Sequence, residues 1–167
     1  EFIIIDDAST DGSEKIIHAY EDSRIKFVRN TDNQGNYPSR NKGLKMATGK
    51  YICVMDADDV AYPHRFDVQY RYLENHPDVL AVGTHYDFSI QGKTMKRNLP
   101  LSYEDVQIAL LSDNHFLHSS LMVRTEAMRK IGGYDEKYVY SSDYDLLSRL
   151  ALSGKIENLP DILMMYR

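Results

Sequence analysis

The chain has 167 residues, enough for one domain with a core of its own, and its hydrophobic and charged fractions are those of an ordinary globular protein. A formal charge of −5 argues against a nucleic-acid binder, which needs a basic face to neutralise phosphates. Cys53 is the single cysteine, which excludes an intramolecular disulfide and a cysteine-based zinc site, and no apolar stretch approaches the roughly 20 residues of a membrane span.

Residues 2–5 form a continuous apolar run, as expected of a parallel strand covered on both faces. Because the chain opens directly on that strand, it reads as beginning inside a domain. The turn-rich stretch 6–13 follows, with Ser13 placed to cap a short helix over residues 14–21. Residues 24–28 alternate like an edge strand. After the polar loop 30–36, Pro38 suits the first turn of a helix running to about Ala47, whose apolar positions are Tyr37, Leu44 and Ala47. A strand over residues 51–55 ends in Asp56-Ala57-Asp58-Asp59. Pro63 starts the next helix, with Phe66, Tyr70 and Leu73 as its inward stripe and His76-Pro77 as its stop.

In the second half, residues 79–83 read as a strand, and 86–90 with 93–96 as a hairpin turning at Gln91-Gly92. Helices are expected over 102–111, with Val106 and Leu110 inward, over 125–131, and over 142–152, with Tyr144, Leu147, Leu150 and Ala151 on one face. Residues 117–123, 155–159 and 162–165 read as strands. The order predicts a single α/β domain over residues 1–167, its sheet parallel at first with an antiparallel addition.

The chemistry concentrates in carboxylates. In open parallel sheets ligands bind beyond the carboxyl ends of the strands, and two predicted strands end in acidic groups: Asp6-Asp7 and Asp56 to Asp59. Three carboxylates within four residues repel one another unless a cation sits among them, and hard oxygen ligands favour Mg²⁺, Mn²⁺ or Ca²⁺. Taken alone, the cluster also reads as a solvated acidic loop. Asp7 and Asp11 also serve as turn residues. Asp143 and Asp145 also serve as helix-dipole partners, with Ser142 and Asp145 as a capping box. Arg40 reads either as an exposed helix residue or as a cation for an anionic substrate. His118, in an apolar strand, reads as a satisfied core histidine, and His64 and His85 as structural.

The ordered set FIIIDDASTDGS, DNQGNYPSRNKGLKMATGKYICVMDADD, LHSSLMVRTEAMRKIGGYDE and SSDYDLLSRL resembles the inverting family 2 glycosyltransferases with the GT-A fold. That resemblance implies a Rossmann-like, mainly parallel mixed sheet flanked by helices. It implies a donor site for a nucleoside-diphosphate sugar, UDP being the preferred nucleotide, with Asp6, Asp7, Arg40, Asp56 and Asp58 around the nucleotide sugar. Mn²⁺ or Mg²⁺ would be held by Asp58 or Asp59, and Asp143 would be the catalytic base, with Ser142 where the family has Glu. The acceptor would be a saccharide or lipid-linked hydroxyl in polysaccharide or glycolipid synthesis, which suggests cytoplasmic work near the membrane. The family's first strand–helix unit and its C-terminal extension would lie outside the chain.

Other readings use the same residues. A haloacid-dehalogenase-type phosphatase would make Asp56 a phosphorylated nucleophile. Its motif belongs on a first strand, whereas here it follows a third. A nucleotidyltransferase of related fold would need a glycine-rich pyrophosphate loop that is not seen. A non-catalytic sugar- or protein-binding module derived from a transferase is the reading from outside enzymology.

Overall fold

The computed structural model describes residues 1–90 and 93–167, so the predicted turn at Gln91-Gly92 lies outside the described residues. The apolar run at the start forms β1 (Phe2–Asp6). It pairs in parallel with β2 (Ile25–Arg29) across the crossover helix α1 (Ser13–His18). Helix α2 (Asn36–Met46) then lies against β1, where a Cβ added at Gly43 would come within 3.8 Å of Ile5 and 3.9 Å of Ile3.

A six-stranded sheet holds the rest: β3 (Tyr51–Cys53), β4 (Val60–Ala61), β5 (Val79–Ile90), β6 (Lys93–Arg97), β7 (Met122–Arg124) and β8 (Lys155–Tyr166). Its order is β3-β7-β5-β8-β4, with β6 hairpinned onto β5, and only the central β5–β8 pair is parallel. Helices α4 (Tyr103–Ala109) and α6 (Ser142–Ser153) cover one face. Val106, Leu146, Leu147 and Leu150 reach zero exposure there against Ala81, Val123 and Ile156. Helix α3 (Arg65–Asn75) covers the other face around Leu73, Val79, Val82 and Met122. Burying such side chains contributes roughly 1.5–3 kcal/mol each, which fixes the sheet that carries the site.

Several expectations change. The parallel series stops at β2: β3 runs antiparallel to β7, and among the described residues no strand joins β1 to β3. The two strands expected over 155–165 are one strand, β8. Its pairing skips from Leu159 to Ile162, so Pro160, which has no N–H to donate, sits in the irregularity. Residues 79–90 are likewise continuous. The strand expected over 117–123 opens instead with a 3₁₀ turn, His118–Ser120, before β7 and the helix α5 (Thr125–Lys130).

The inward face of α3 also differs from the apolar stripe. Phe66 and Tyr70 are 57% and 49% exposed, while Arg65 and Gln69 are buried with Leu73. The sheet explains the exchange. Past the end of β3 and at the end of the 3₁₀ turn, backbone carbonyls need donors from side chains, and leaving them underpaired in the core is costly. Arg65 donates to the carbonyls of Val54 (3.0 Å) and Leu121 (3.4 Å), and Gln69 to those of Ser120 (2.7 Å) and Val82 (3.1 Å). Burial draws the Arg65 pKa down to about 10, so it remains a cation at neutral pH.

Candidate active site

The site lies where the residues that follow β1 and β3 meet the first turns of α2. Gly35, whose φ of 91° suits glycine, begins α2. The Asp7 carboxylate accepts from the backbone N–H groups of Gln34 (2.9 Å) and Gly35 (2.7 Å) and from the Asn30 amide (2.7 Å). Burial alone would raise its pKa, but these donors outweigh burial and hold the carboxyl below its ordinary range. Asn30 also donates to Ser39 (3.0 Å) and accepts from Lys42, so Asp7 is tied into α2. Asp6 points the other way. Its buried carboxylate accepts from the Ser9 N–H (3.0 Å) and stands 3.5 Å from Arg29 on β2.

One residue past Ser39, Arg40 reaches the other acidic cluster and donates to Asp56. The two strand ends therefore meet at the start of α2. Burial pushes the Asp56 carboxyl up, Arg40 pulls it back, and Asp59 and Asp58 add to the rise; the net shift is upward. Asp59 is buried. It accepts from the Ser119 hydroxyl and, at 3.0 Å, from the Arg167 N–H. Asp58 is exposed and makes no hydrogen bond among the described residues. Among the described residues, no three acidic, histidine or cysteine side chains are grouped as a ready metal-ligand set. A divalent ion that takes one or two carboxylates and completes its shell with phosphate and water fits this donor set, with Asp58 free to bind and Asp56 beside it.

Asp143 lies in the first turn of α6, where it accepts from the Asn114 amide at 3.0 Å. The expected capping box is absent: Ser141 occupies the cap position, and the buried Ser142 donates to the Asp135 carbonyl (3.0 Å). Asp145 pairs with Arg149, which bonds the carbonyls of Ile131 and Gly133, so it serves the 131–133 turn. Among the described residues, the non-glycine residues with left-handed backbones are Ala8, next to Asp7, Ser141, two residues before Asp143, and His64, which caps α3. Such strain gathers at sites whose surroundings hold it in place.

The sequence reading missed the residues between these clusters. Tyr134, 4% exposed, lies beneath Arg40, whose guanidinium carbon is 5.8 Å from the ring centroid. Burial raises its phenol to about 12, with Arg40 opposing and Asp56 and Asp143 adding to the rise. Its hydroxyl is 2.9 Å from Nε2 of His118, whose Nδ1 accepts from Arg40. His118 is a satisfied histidine as expected, but its partners belong to the site. The one sequence signal was the polar His118-Ser119-Ser120 inside an apolar run.

The sequence pattern of Glycosyl transferase family 2 matches residues 1–132. A glycosyltransferase of Methanocaldococcus jannaschii is 34% identical over 99% of this chain and 59% of its own length. The amylovoran biosynthesis glycosyltransferase AmsE of Erwinia amylovora is 34% identical over 81% of this chain and 51% of its own. In structure, the 1–349 portion of S. aureus TarS, solved with UDP, superposes with a TM-score of 0.81 at 19% identity over 99% of this chain and 50% of that one. A Pyrobaculum calidifontis mannosyltransferase, solved with GDP-Man and Mn²⁺, gives a TM-score of 0.74 at 21% identity over 99% and 47%. The mixed sheet flanked by helices is thus the glycosyltransferase fold expected from the sequence, and the chain spans about half the length of these relatives. By the extent of its sequence match and by these relatives, the chain belongs to glycosyl transferase family 2.

Proposed function

We propose that the strand-end carboxylates and Arg40 form the donor site of a metal-dependent, inverting glycosyltransferase. The protein would move a sugar from a nucleoside diphosphate to an acceptor hydroxyl. The observation that carries this reading is the convergence of Asp7, Asp56 and Arg40 on one helix start, with exposed Asp58 beside them. Solved relatives bind UDP, UDP-GlcNAc or GDP-Man, and the preferred donor here is a UDP-sugar.

Within the site, Asp7 borders the base or ribose and retains acceptor capacity beyond its loop contacts. Asp6, turned toward β2, shapes the turn from behind. Asp58, with Asp56, would hold Mn²⁺ or Mg²⁺; Asp59 is already committed to Ser119 and the Arg167 backbone. When bound, the cation would neutralise charge on the departing diphosphate. Asp143 takes the acceptor hydroxyl's proton, oriented by Asn114.

We place the family's first strand in the break between β1 and β3, supplied by chain outside residues 1–167, so that these residues form one domain with it. Saccharide or lipid-linked acceptors in polysaccharide synthesis, and cytoplasmic work near a membrane, complete the proposal. Among the described residues no helix is long and apolar enough to cross a membrane. The test is Asp143→Asn assayed with labelled UDP- and GDP-sugars: nucleotide binding persists while transfer falls by about 10²–10⁴. Normal transfer by this variant refutes the assignment.

A further inference from the structure

Resting on that donor-site reading, we propose that His118 and Tyr134 are positioning residues that fix the Arg40 guanidinium where it meets a nucleoside diphosphate. An arginine carries several rotatable bonds, and holding its planar fork ready removes much of the entropy lost on binding an anion.

Three contacts hold it. Arg40 donates to Asp56 on one side and to His118 Nδ1 on the other, and it lies against the Tyr134 ring. Because a guanidinium only donates, His118 Nδ1 must accept; the ring is then neutral, with its proton on Nε2 directed at the Tyr134 oxygen 2.9 Å away. Burial, with Arg40 beside it, keeps the imidazole neutral, its pKa lowered to about 3.

The holders are themselves held. Ser120, in the same 3₁₀ turn as His118, accepts from the Thr84 N–H on β5 (3.1 Å) and donates to the Leu117 carbonyl (2.7 Å). Ser119 of that turn binds Asp59. Asn41, next to Arg40, clamps Tyr134 through its backbone, donating to its carbonyl and accepting from its N–H at 2.9 Å each. Tyr37 stacks on the Tyr134 ring with centroids 5.7 Å apart. The 3₁₀ turn is thus tied to β5 and to Asp59, Tyr134 is tied to α2, and the charged group of the bracket faces the acidic loop.

A double-mutant cycle tests this. UDP and GDP are titrated calorimetrically with Mn²⁺ into wild type, Arg40→Ala, His118→Leu and the double variant, with uridine and guanosine as ligands lacking the diphosphate. Each single variant should lose about tenfold in diphosphate affinity and none for the nucleosides, and the double should lose no more than Arg40→Ala alone. His118→Asn, whose amide oxygen stands near the place of Nδ1, should restore binding, and His118→Gln should not. Tyr134→Phe should lose about threefold. Losses that multiply in the double variant, or a folded His118→Leu that binds like wild type, overturn the positioning role while the donor site stands. Absence of diphosphate binding in wild type overturns both. If His118→Leu does not fold, the contrast between Asn and Gln at position 118 decides.

Discussion

Arg40 donates to Asp56, so the first turns of α2 and the end of β3 meet in a single half-buried ion pair. Because burial raises the Asp56 carboxyl and Arg40 opposes the rise, the acid limb of nucleotide binding should lie above the ordinary carboxylate range. Arg40→Gln removes the opposing positive charge, so that limb should move to higher pH. Titrating nucleoside diphosphate binding between pH 4 and pH 8 in both proteins measures it; a limb at lower pH in the variant contradicts the pairing.

Asp7 gives the opposite sign. Its folded pKa is held below the unfolded value by the Asn30, Gln34 and Gly35 donors, burial notwithstanding. The stabilisation it contributes is present above the unfolded pKa and is lost as pH falls through the lowered folded value. Asp7→Asn should therefore be less stable than wild type at pH 7, and the gap should narrow on acidification below about pH 4. Urea unfolding at several pH values reports this directly.

Arg65 should prove more costly to remove than a typical helix residue. Arg65→Met leaves the Val54 carbonyl buried without its donor, while the Leu121 carbonyl keeps only the Val54 N–H at 2.9 Å. We expect a loss of about 2–4 kcal/mol in urea unfolding. A loss comparable to that of an exposed α3 position, such as Phe66→Ala, would show that solvent replaces these contacts.

Gly133 allows the close approach on which Asn41 depends. Its φ is 72°, and a Cβ there would stand 2.6 Å from the Asn41 amide oxygen and 2.8 Å from Leu44. Gly133→Ala should cost about 2–3 kcal/mol and loosen Tyr134 from its clamp. Thermal unfolding measures the first effect and Tyr134 amide exchange the second.

The sequence made the helices and the acidic strand ends legible because each depends on local pattern: Pro38 at a helix start, the Leu147–Leu150 face of α6, an apolar run stopping at Asp56. It misled where a distant partner decided. The apolar stripe on α3 gave way to Arg65 and Gln69 because carbonyls of β5, the 3₁₀ turn and the β3 end required donors, and no local pattern encodes a neighbour's missing ladder. The two strands expected over 155–159 and 162–165 are one because the skipped pairing from Leu159 to Ile162 accommodates Pro160. Tyr134 and His118 escaped for the same reason. Their roles come from Arg40, which is 78 residues from His118 in sequence and in hydrogen-bond contact with it in the fold.

The central claim is that the end of β3 binds a diphosphate through a cation held at Asp58. Calorimetric titration of UDP and GDP into wild type and Asp58→Asn, with and without Mn²⁺, tests it most directly. We expect wild-type binding to strengthen by at least about tenfold with Mn²⁺ and the variant to lose that gain. Binding indifferent to Mn²⁺, or a gain of equal size in Asp58→Asn, would contradict it.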